Sequence, residues 1–324
     1  MSAITVRDLG PQYSFGSVVD GVNYETLKDE SVRAELQALF KDRGLLVFEN
    51  VEPSQNMHVA ISNVFGPLKD HPTKTTARVD QESHPGVIDM HSMPAKEDDD
   101  VGKVLLNGKK TVRYSPWHFD HCYNDELNLA GVLRVLKNSP EGGRTGFADG
   151  VELYRSLSPE LRENIEGKNI IYRLDVRLSQ MRFGRPEGLH VFPEHPAVLA
   201  NVREGLTFPR AMHPAVWSRD NGDKVLHVGS WMAFGVEHHE DEEGDALLEA
   251  VCQEILAKAN AYWHNWKATD MLIWDNIRML HAVEGNDPQY ERQSQRTTIK
   301  GDYLGLGYFE GGKKIGEVQH ELVM

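Results

Sequence analysis

Apolar and polar positions alternate along this chain with two periods, and the period changes at recognisable stops. From Glu30 to Asp42 the apolar residues Val32, Leu36, Leu39 and Phe40 fall at helical spacing; Asp29 stands where an N-cap belongs and Gly44 where a helix ends. Leu45-Leu46-Val47-Phe48 is then a compact apolar strand. Pro53 and Ser54 open a second helix running to about Val64, stopped by Gly66-Pro67. Asn128–Leu136 is another apolar strand, Pro140–Gly143 a turn, and Thr145–Asp149 leads into a helix. Ser158, as cap, and Pro159, at the first helical position, start the next one. Between 168 and 235 short β-like runs are divided by Pro and Gly, clearest at Ile170–Arg173, Ala197–Asn201 and Lys224–Val228. Leu247, Leu248, Val251, Ile255 and Leu256 form one stripe of a helix over about 245–259. Tyr262–Trp266, Met271–Trp274, His281–Val283 and Arg296–Gly301 are strand candidates that close the chain. Many short strands with a few helices predict a mainly β protein with flanking helices (α+β), a β-sandwich or jelly roll with helices packed outside. Repeats and long linkers are absent, so residues 1–324 read as a single domain.

One stretch breaks the pattern. Residues 68–113 are polar and carry the acidic run Glu97-Asp98-Asp99-Asp100, with a strand only around Gly86–Asp89. A loop of that length reads as a lid or pocket wall, or as a solvated surface insertion.

Charge narrows the partners. The formal net charge of −14 and a pI near 5.5 repel nucleic acid and anionic membranes. A run long enough for a transmembrane helix is missing, and the N-terminus lacks the basic and apolar regions of a signal peptide. Two cysteines, Cys122 and Cys252, argue against a disulfide framework and for a reducing cytoplasm, whereas 15 histidines offer metal ligands without thiolates.

Candidate chemistry centres on Ser115-Pro116-Trp117-His118-Phe119-Asp120-His121. On a strand, His118 and Asp120 point to one face, where an imidazole and a carboxylate can share a divalent ion. One further His would complete a two-His-one-carboxylate facial triad; a strand end whose His and Asp hydrogen-bond locally is the plain alternative. His281 follows the strand Asp270–Asn276 and, taken alone, is more often a packed or capped histidine than a ligand. Arg292 and Arg296, four apart, share a strand face and make a positive spot in an acidic chain, suited to a carboxylate held bidentately. His238-His239 sits in a charged stretch and reads as solvated loop.

In chain order, the strand Gly44–Phe48, Phe65-Gly66-Pro67, Trp117-His118-Phe119-Asp120, Glu141-Gly142-Gly143-Arg144-Thr145-Gly146-Phe147-Ala148, His213-Pro214-Ala215-Val216, Trp274-Asp275-Asn276 with His281, and Arg292 with Arg296 form an ordered set. From about Leu9 to Asp302 the chain resembles the TauD/TfdA family of iron(II)- and 2-oxoglutarate-dependent dioxygenases. The resemblance implies a double-stranded β-helix (jelly-roll) core, Fe(II), and 2-oxoglutarate and O2 as cosubstrates. It places His118, Asp120 and His281 as iron ligands, Thr145 and Arg292 at the far carboxylate of 2-oxoglutarate, and Arg296 with His71 at an anionic group of the substrate. It also implies hydroxylation, with release of succinate and CO2, or hydroxylation followed by C–O, C–S or C–N cleavage; Asp120 stands where related halogenases have Gly or Ala. The expected partner is a small anionic molecule such as a sulfonate, sulfate ester or aryloxy or aromatic carboxylate, in a pocket that Trp231, Phe234 and Phe183 could wall. A homo-dimer or homo-tetramer is in keeping with the family. Zinc on the same triad, in a hydrolase or isomerase, is the competing reading, and it gives Arg292 and Thr145 no task. His121 and Cys122 follow the metal motif where the family varies.

Overall fold

Asp29 accepts a hydrogen bond from Ser31 N and opens the helix Glu30–Arg43, which ends on Gly44 in the left-handed conformation (φ 72°). Ser54 caps Gln55–Phe65 through Met57 N. Both helices lie on one face of the largest sheet. The computed structural model describes residues 3–80, 84–96, 99–301 and 307–312.

That sheet has nine strands. Eight run in the order Thr5–Asp8, Ser17–Asp20, Leu45–Phe48, Met271–Asp275, Ala130–Lys137, Arg292–Ile299, His84–Ser92 and Arg78–Asp80, with Leu68–Lys69 also paired to Arg292–Ile299. Strand alternation divides its residues cleanly. Leu46, Phe48, Val132, Met271 and Ile273 pack with Val32, Leu36, Phe40, Met57 and Ile61 of the two helices. Leu45, Val47, Leu133, Leu272 and Trp274 turn the other way, onto a second sheet.

The second sheet has four strands, ordered Tyr262–His264, Thr145–Asp149, Met279–Val283, Ser115–His118. Phe147 and Met279 meet the nine-stranded sheet, while Ala148, Leu280 and Ala282 turn outward to the cluster that holds the helices Gly150–Ser156 and Glu242–Lys258. Each fully buried large apolar side chain in these layers is worth roughly 1.5–3 kcal/mol. The interface between the sheets therefore has two halves. Phe15, Leu45, Val47, Leu272 and Met279 fill one half, and polar groups from both sheets occupy the other.

The mainly β architecture with flanking helices agrees with the sequence pattern, and four local expectations need correction. Ala197–Asn201 is not a strand but lies within the helix Pro196–Gly205, where the His195 ring caps Ala197 N and Pro196 takes the first helical position. Ser158 does take the N-cap position before Pro159–Ile165, but its side chain makes no capping bond. The stretch 68–113 is less of a loop than expected: the strand read around Gly86–Asp89 spans His84–Ser92 and pairs in register with Arg292–Thr297, and Val104–Leu106 forms a hairpin with Lys109–Thr111 that also pairs with His190–Val191. Glu97 and Asp98 of the acidic run lie outside the described residues, as does Asp302; Asp100 pairs with Lys110. Finally, the strand bearing the His-x-Asp motif stops at His118, so Asp120 reaches the site from a turn.

Candidate functional site

Register brings the first two groups together. His281 is the direct cross-strand partner of His118, and their rings lie 4.0 Å apart between centroids. Nδ1 of His118 donates to the carbonyl of Pro116 (2.7 Å), which leaves the Nε2 lone pair facing inward. His281 presents Nε2 3.7 Å from Oδ1 of Asp120. Asp120 is held through its own backbone: its N–H donates to Oδ1 of Asn276 (2.8 Å), and Asn276 Nδ2 donates back to its carbonyl (3.0 Å). His213 fixes the same turn, with Nε2 on the carbonyl of Cys122 (2.9 Å). One donor atom from each of His118, Asp120 and His281 lies within 4.8 Å of the others, all buried.

Electrostatics keeps these groups in ligand form. Burial pushes His118 and His281 below the usual imidazole range, and for His281 the neighbouring His118 adds to the shift. Burial opposes ionisation of Asp120, but Arg296 and the imidazoles outweigh it and hold the carboxyl well below the usual carboxylate range. Two neutral imidazoles and one carboxylate suit a divalent first-row ion and leave part of its coordination open. Nδ1 of His281 is buried and has no hydrogen-bond partner among the described residues, while Nε2 is the nitrogen that faces Asp120.

Packing fixes His281. Trp274 lies 4.9 Å from its ring and Phe147 6.2 Å, and these two rings are 5.5 Å from each other. The indole can cross its neighbouring strand only because residue 131 is glycine, since a Cβ there would sit 2.4 Å from Cζ2 of Trp274. Trp231 stands edge-on to His118 at 4.9 Å.

A second polar group lies further along the interface. Arg292 is buried, donates to Gly143 O (3.1 Å) and Ser294 Oγ (3.3 Å), and keeps Nε unpartnered. Burial, with the charge of Arg113, lowers it to about 10. Among the described residues no carboxylate pairs with it, an arrangement that costs free energy unless an anion arrives. Two residues beyond Gly143, Thr145 accepts from Trp266 Nε1 (3.1 Å), so its own hydroxyl proton remains available. Two further N–H directions on Arg292 and one hydroxyl fit one end of a dicarboxylate.

On the other side of the triad Arg296, from the same strand face as Arg292, donates to Asp120 Oδ1. His71 accepts from Thr73 N (3.2 Å) at Nδ1, so the proton sits on Nε2. Burial, with Arg296 and Arg78 beside it, lowers His71 to about 3. His121 meets the His71 ring edge-on at 4.9 Å.

The structure thus gathers the sequence-predicted His118, Asp120 and His281 in one group, joins Thr145 to Arg292 through Gly143, and sets His71 and Arg296 near Asp120. It separates others. Phe183 belongs to the apolar core, and Phe234 is held among the guanidinium groups of Arg173, Arg182 and Arg210. His238 is exposed, and His239 meets Lys168. Asn276, Trp274 and Gly131 were not singled out for tasks, although a buried strand running straight into Asp275-Asn276 was a visible signal.

Comparison with known proteins gives a consistent result. Residues 5–298 match the family described as "Taurine catabolism dioxygenase TauD, TfdA family". The chain is 26% identical to the (S)-phenoxypropionate/alpha-ketoglutarate-dioxygenase of Sphingobium herbicidovorans, over 91% of this chain and 95% of that one. It is 25% identical to the alpha-ketoglutarate-dependent 2,4-dichlorophenoxyacetate dioxygenase of Cupriavidus pinatubonensis, over 93% and 99%. The crystal structure of a taurine dioxygenase from Burkholderia xenovorans superposes with a TM-score of 0.66 at 21% identity, over 96% and 94% of the two chains, and so shares the fold.

Proposed function

The chain belongs to the TauD/TfdA family and is an Fe(II)- and 2-oxoglutarate-dependent dioxygenase, and from that premise we propose that it hydroxylates a small anionic organic molecule bound beside His118, Asp120 and His281. In this reading residues 1–324 are one domain around a jelly-roll core, and the stretch 68–113 supplies a pocket wall through His71 and the inward-facing Ile88 and Met90.

His118, Asp120 and His281 would hold the iron, which with 2-oxoglutarate and O2 supplies the oxidising power: substrate C–H, O2 and 2-oxoglutarate become substrate C–OH, succinate and CO2. The protein's part is placement. Asn276 fixes Asp120 from its backbone, and the Pro116 carbonyl sets the tautomer of His118. Arg292 and Thr145 receive the far carboxylate of 2-oxoglutarate, Arg292 by parallel N–H bonds and Thr145 by its hydroxyl. Trp274, Phe147 and Trp231 close apolar surface around the imidazoles and keep water from the oxidant. Arg296 and His71 receive the anionic group of the substrate.

The observation that carries this reading is the pairing of two features within one sheet interface: a buried His/Asp/His cluster and a buried guanidinium lacking a carboxylate partner. A zinc hydrolase on the same triad leaves the second unexplained. Phenoxyalkanoates head the substrate classes to be tried, because both curated relatives above are named for them, with sulfonates next. Succinate release is measured with each compound, with and without O2; a compound turned over by wild type gives none with His118→Ala. Equal succinate from that variant would overturn the assignment.

A further inference from the structure

One buried histidine has no task in the reaction so far. His121 follows the metal-binding carboxylate directly and takes a left-handed backbone (φ 56°), uncommon for a residue with a side chain. That conformation turns its ring into the protein, where it is almost wholly buried. Asn128 Nδ2 donates to Nδ1 of the ring (2.9 Å), so the proton rests on Nε2. Nε2 is itself buried and has no hydrogen-bond partner. A buried N–H left unpaired is costly, so a turn strained to create one invites an acceptor.

The surroundings say what kind. The His71 ring stands edge-on to His121 at 4.9 Å and carries its own proton on Nε2, because Thr73 N occupies Nδ1. The charges of Arg296 and Asp120 reach both rings. Nε of Arg296 is also buried and unpartnered. Among the described residues three donor groups thus face one region, two of them (His121 Nε2 and Arg296 Nε) without a partner, and the carboxylate whose charge reaches them, Asp120, is claimed by the metal in the working enzyme. Lys69, on the same strand-pair face as Thr298, is already bridged to Glu126 (3.3 Å) and closes the region without adding a free charge.

We infer that His121 is a substrate-recognition residue: its Nε2–H donates to the anionic group of the substrate, beside the guanidinium of Arg296 and the Nε2–H of His71. The inference rests on the placement of the substrate anion under Proposed function and adds to it a third donor that this chain supplies from its own variable position. One cation with two neutral N–H donors matches an oxyanion of single charge, since a dianion would need a second cation.

The test is binding of benzenesulfonate and phenoxyacetate, followed calorimetrically, to protein loaded with Mn(II) and the unreactive 2-oxoglutarate analogue N-oxalylglycine. At least one anion binds wild type; His121→Phe, which keeps the ring and loses the N–H, weakens it about tenfold or more. His121→Gln, which keeps a donor, recovers part of the loss, and affinity for Mn(II) and N-oxalylglycine stays within about twofold in both. If neither anion binds wild type, the anionic-substrate reading and this inference fall together. If anions bind and His121→Phe binds them equally well, or loses Mn(II) instead, the inference alone falls and His121 is a structural turn residue. Should the phenylalanine variant not fold, titration of the same anions into Zn(II)-loaded, 15N-histidine-labelled wild type decides. The His121 imidazole N–H, assigned by its absence in His121→Gln, must shift, and an unmoved resonance overturns the inference.

Discussion

Arg296 donates from Nη1 to Oδ1 of Asp120, the carboxylate that His118 and His281 flank. A divalent ion at those three groups places a second cation beside the guanidinium, so the two compete for one carboxylate. Replacing Arg296 with Gln removes that competition. Mn(II) should bind Arg296→Gln at least as tightly as wild type in a calorimetric titration, while affinity for the anionic substrate drops about tenfold or more. Loss of Mn(II) binding in this variant would show instead that Arg296 organises the metal site.

Arg292 carries a different expectation, because its partner is the cosubstrate. Arg292→Gln should raise KM for 2-oxoglutarate about a hundredfold or more, whereas Thr145→Val should cost less because only one hydroxyl bond is lost. Arg292→Lys should recover little, since an ammonium cannot form the two parallel bonds of a guanidinium. Steady-state kinetics with varied 2-oxoglutarate checks this, and an unchanged KM in Arg292→Gln would place the far carboxylate elsewhere.

The fold depends on a buried ion pair next to the site. Arg278 donates to Asp149 through Nε (2.9 Å) and Nη2 (2.7 Å) and to the Asp42 carbonyl through Nη1 (2.7 Å), tying the first helix to the four-stranded sheet. Asp149→Ala leaves a buried guanidinium without its partner and should cost about 3–5 kcal/mol. Urea denaturation of the apo-protein measures it; a loss below about 1 kcal/mol would mean that water replaces the carboxylate.

Acid should weaken the protein from within. His58 donates Nε2–H to the Val132 carbonyl (2.9 Å), and burial, with the charge of Arg134 adding, lowers it to about 4. Its unfolded value is near 6.5, so between those values the unfolded chain binds the proton and the folded chain does not. Stability is therefore full above about pH 6.5 and is lost as pH falls toward 4, by about 2 kcal/mol between pH 6.5 and 5 from this group. His227, lowered to about 3 by burial and His213, acts in the same direction. Chemical denaturation of wild type and His58→Gln at the two pH values compares the slopes; identical slopes would remove His58 from the account.

Much of this was legible in the sequence where a signal was local. The helix Glu30–Arg43, with Asp29 and Gly44 at its ends, and the buried strand after it follow from caps and periodicity. The spacing of Arg292 and Arg296 put them on one strand face, as found. What depends on register between distant strands was hidden: only the pairing of Met279–Val283 with Ser115–His118 sets His281 opposite His118. The strand read around Gly86–Asp89 extends to His84–Ser92, and its ends were hidden because they earn their place by pairing with Arg292–Thr297 rather than by apolar composition. Asn276 works through backbone atoms of Asp120, 156 residues away, and His121 through a backbone conformation; the sequence marks where both residues stand but not what they hold.

If His118, Asp120 and His281 form an iron site serving 2-oxoglutarate, succinate formation must depend on the metal they hold. Protein prepared without oxygen is loaded with Fe(II) or Zn(II), given 2-oxoglutarate and a binding substrate, and exposed to O2. Succinate is expected with Fe(II) alone, in equal amount to oxidised product, and none with His281→Ala. Succinate from His281→Ala at the wild-type rate, or a reaction supported by Zn(II) and indifferent to O2, would contradict the iron site.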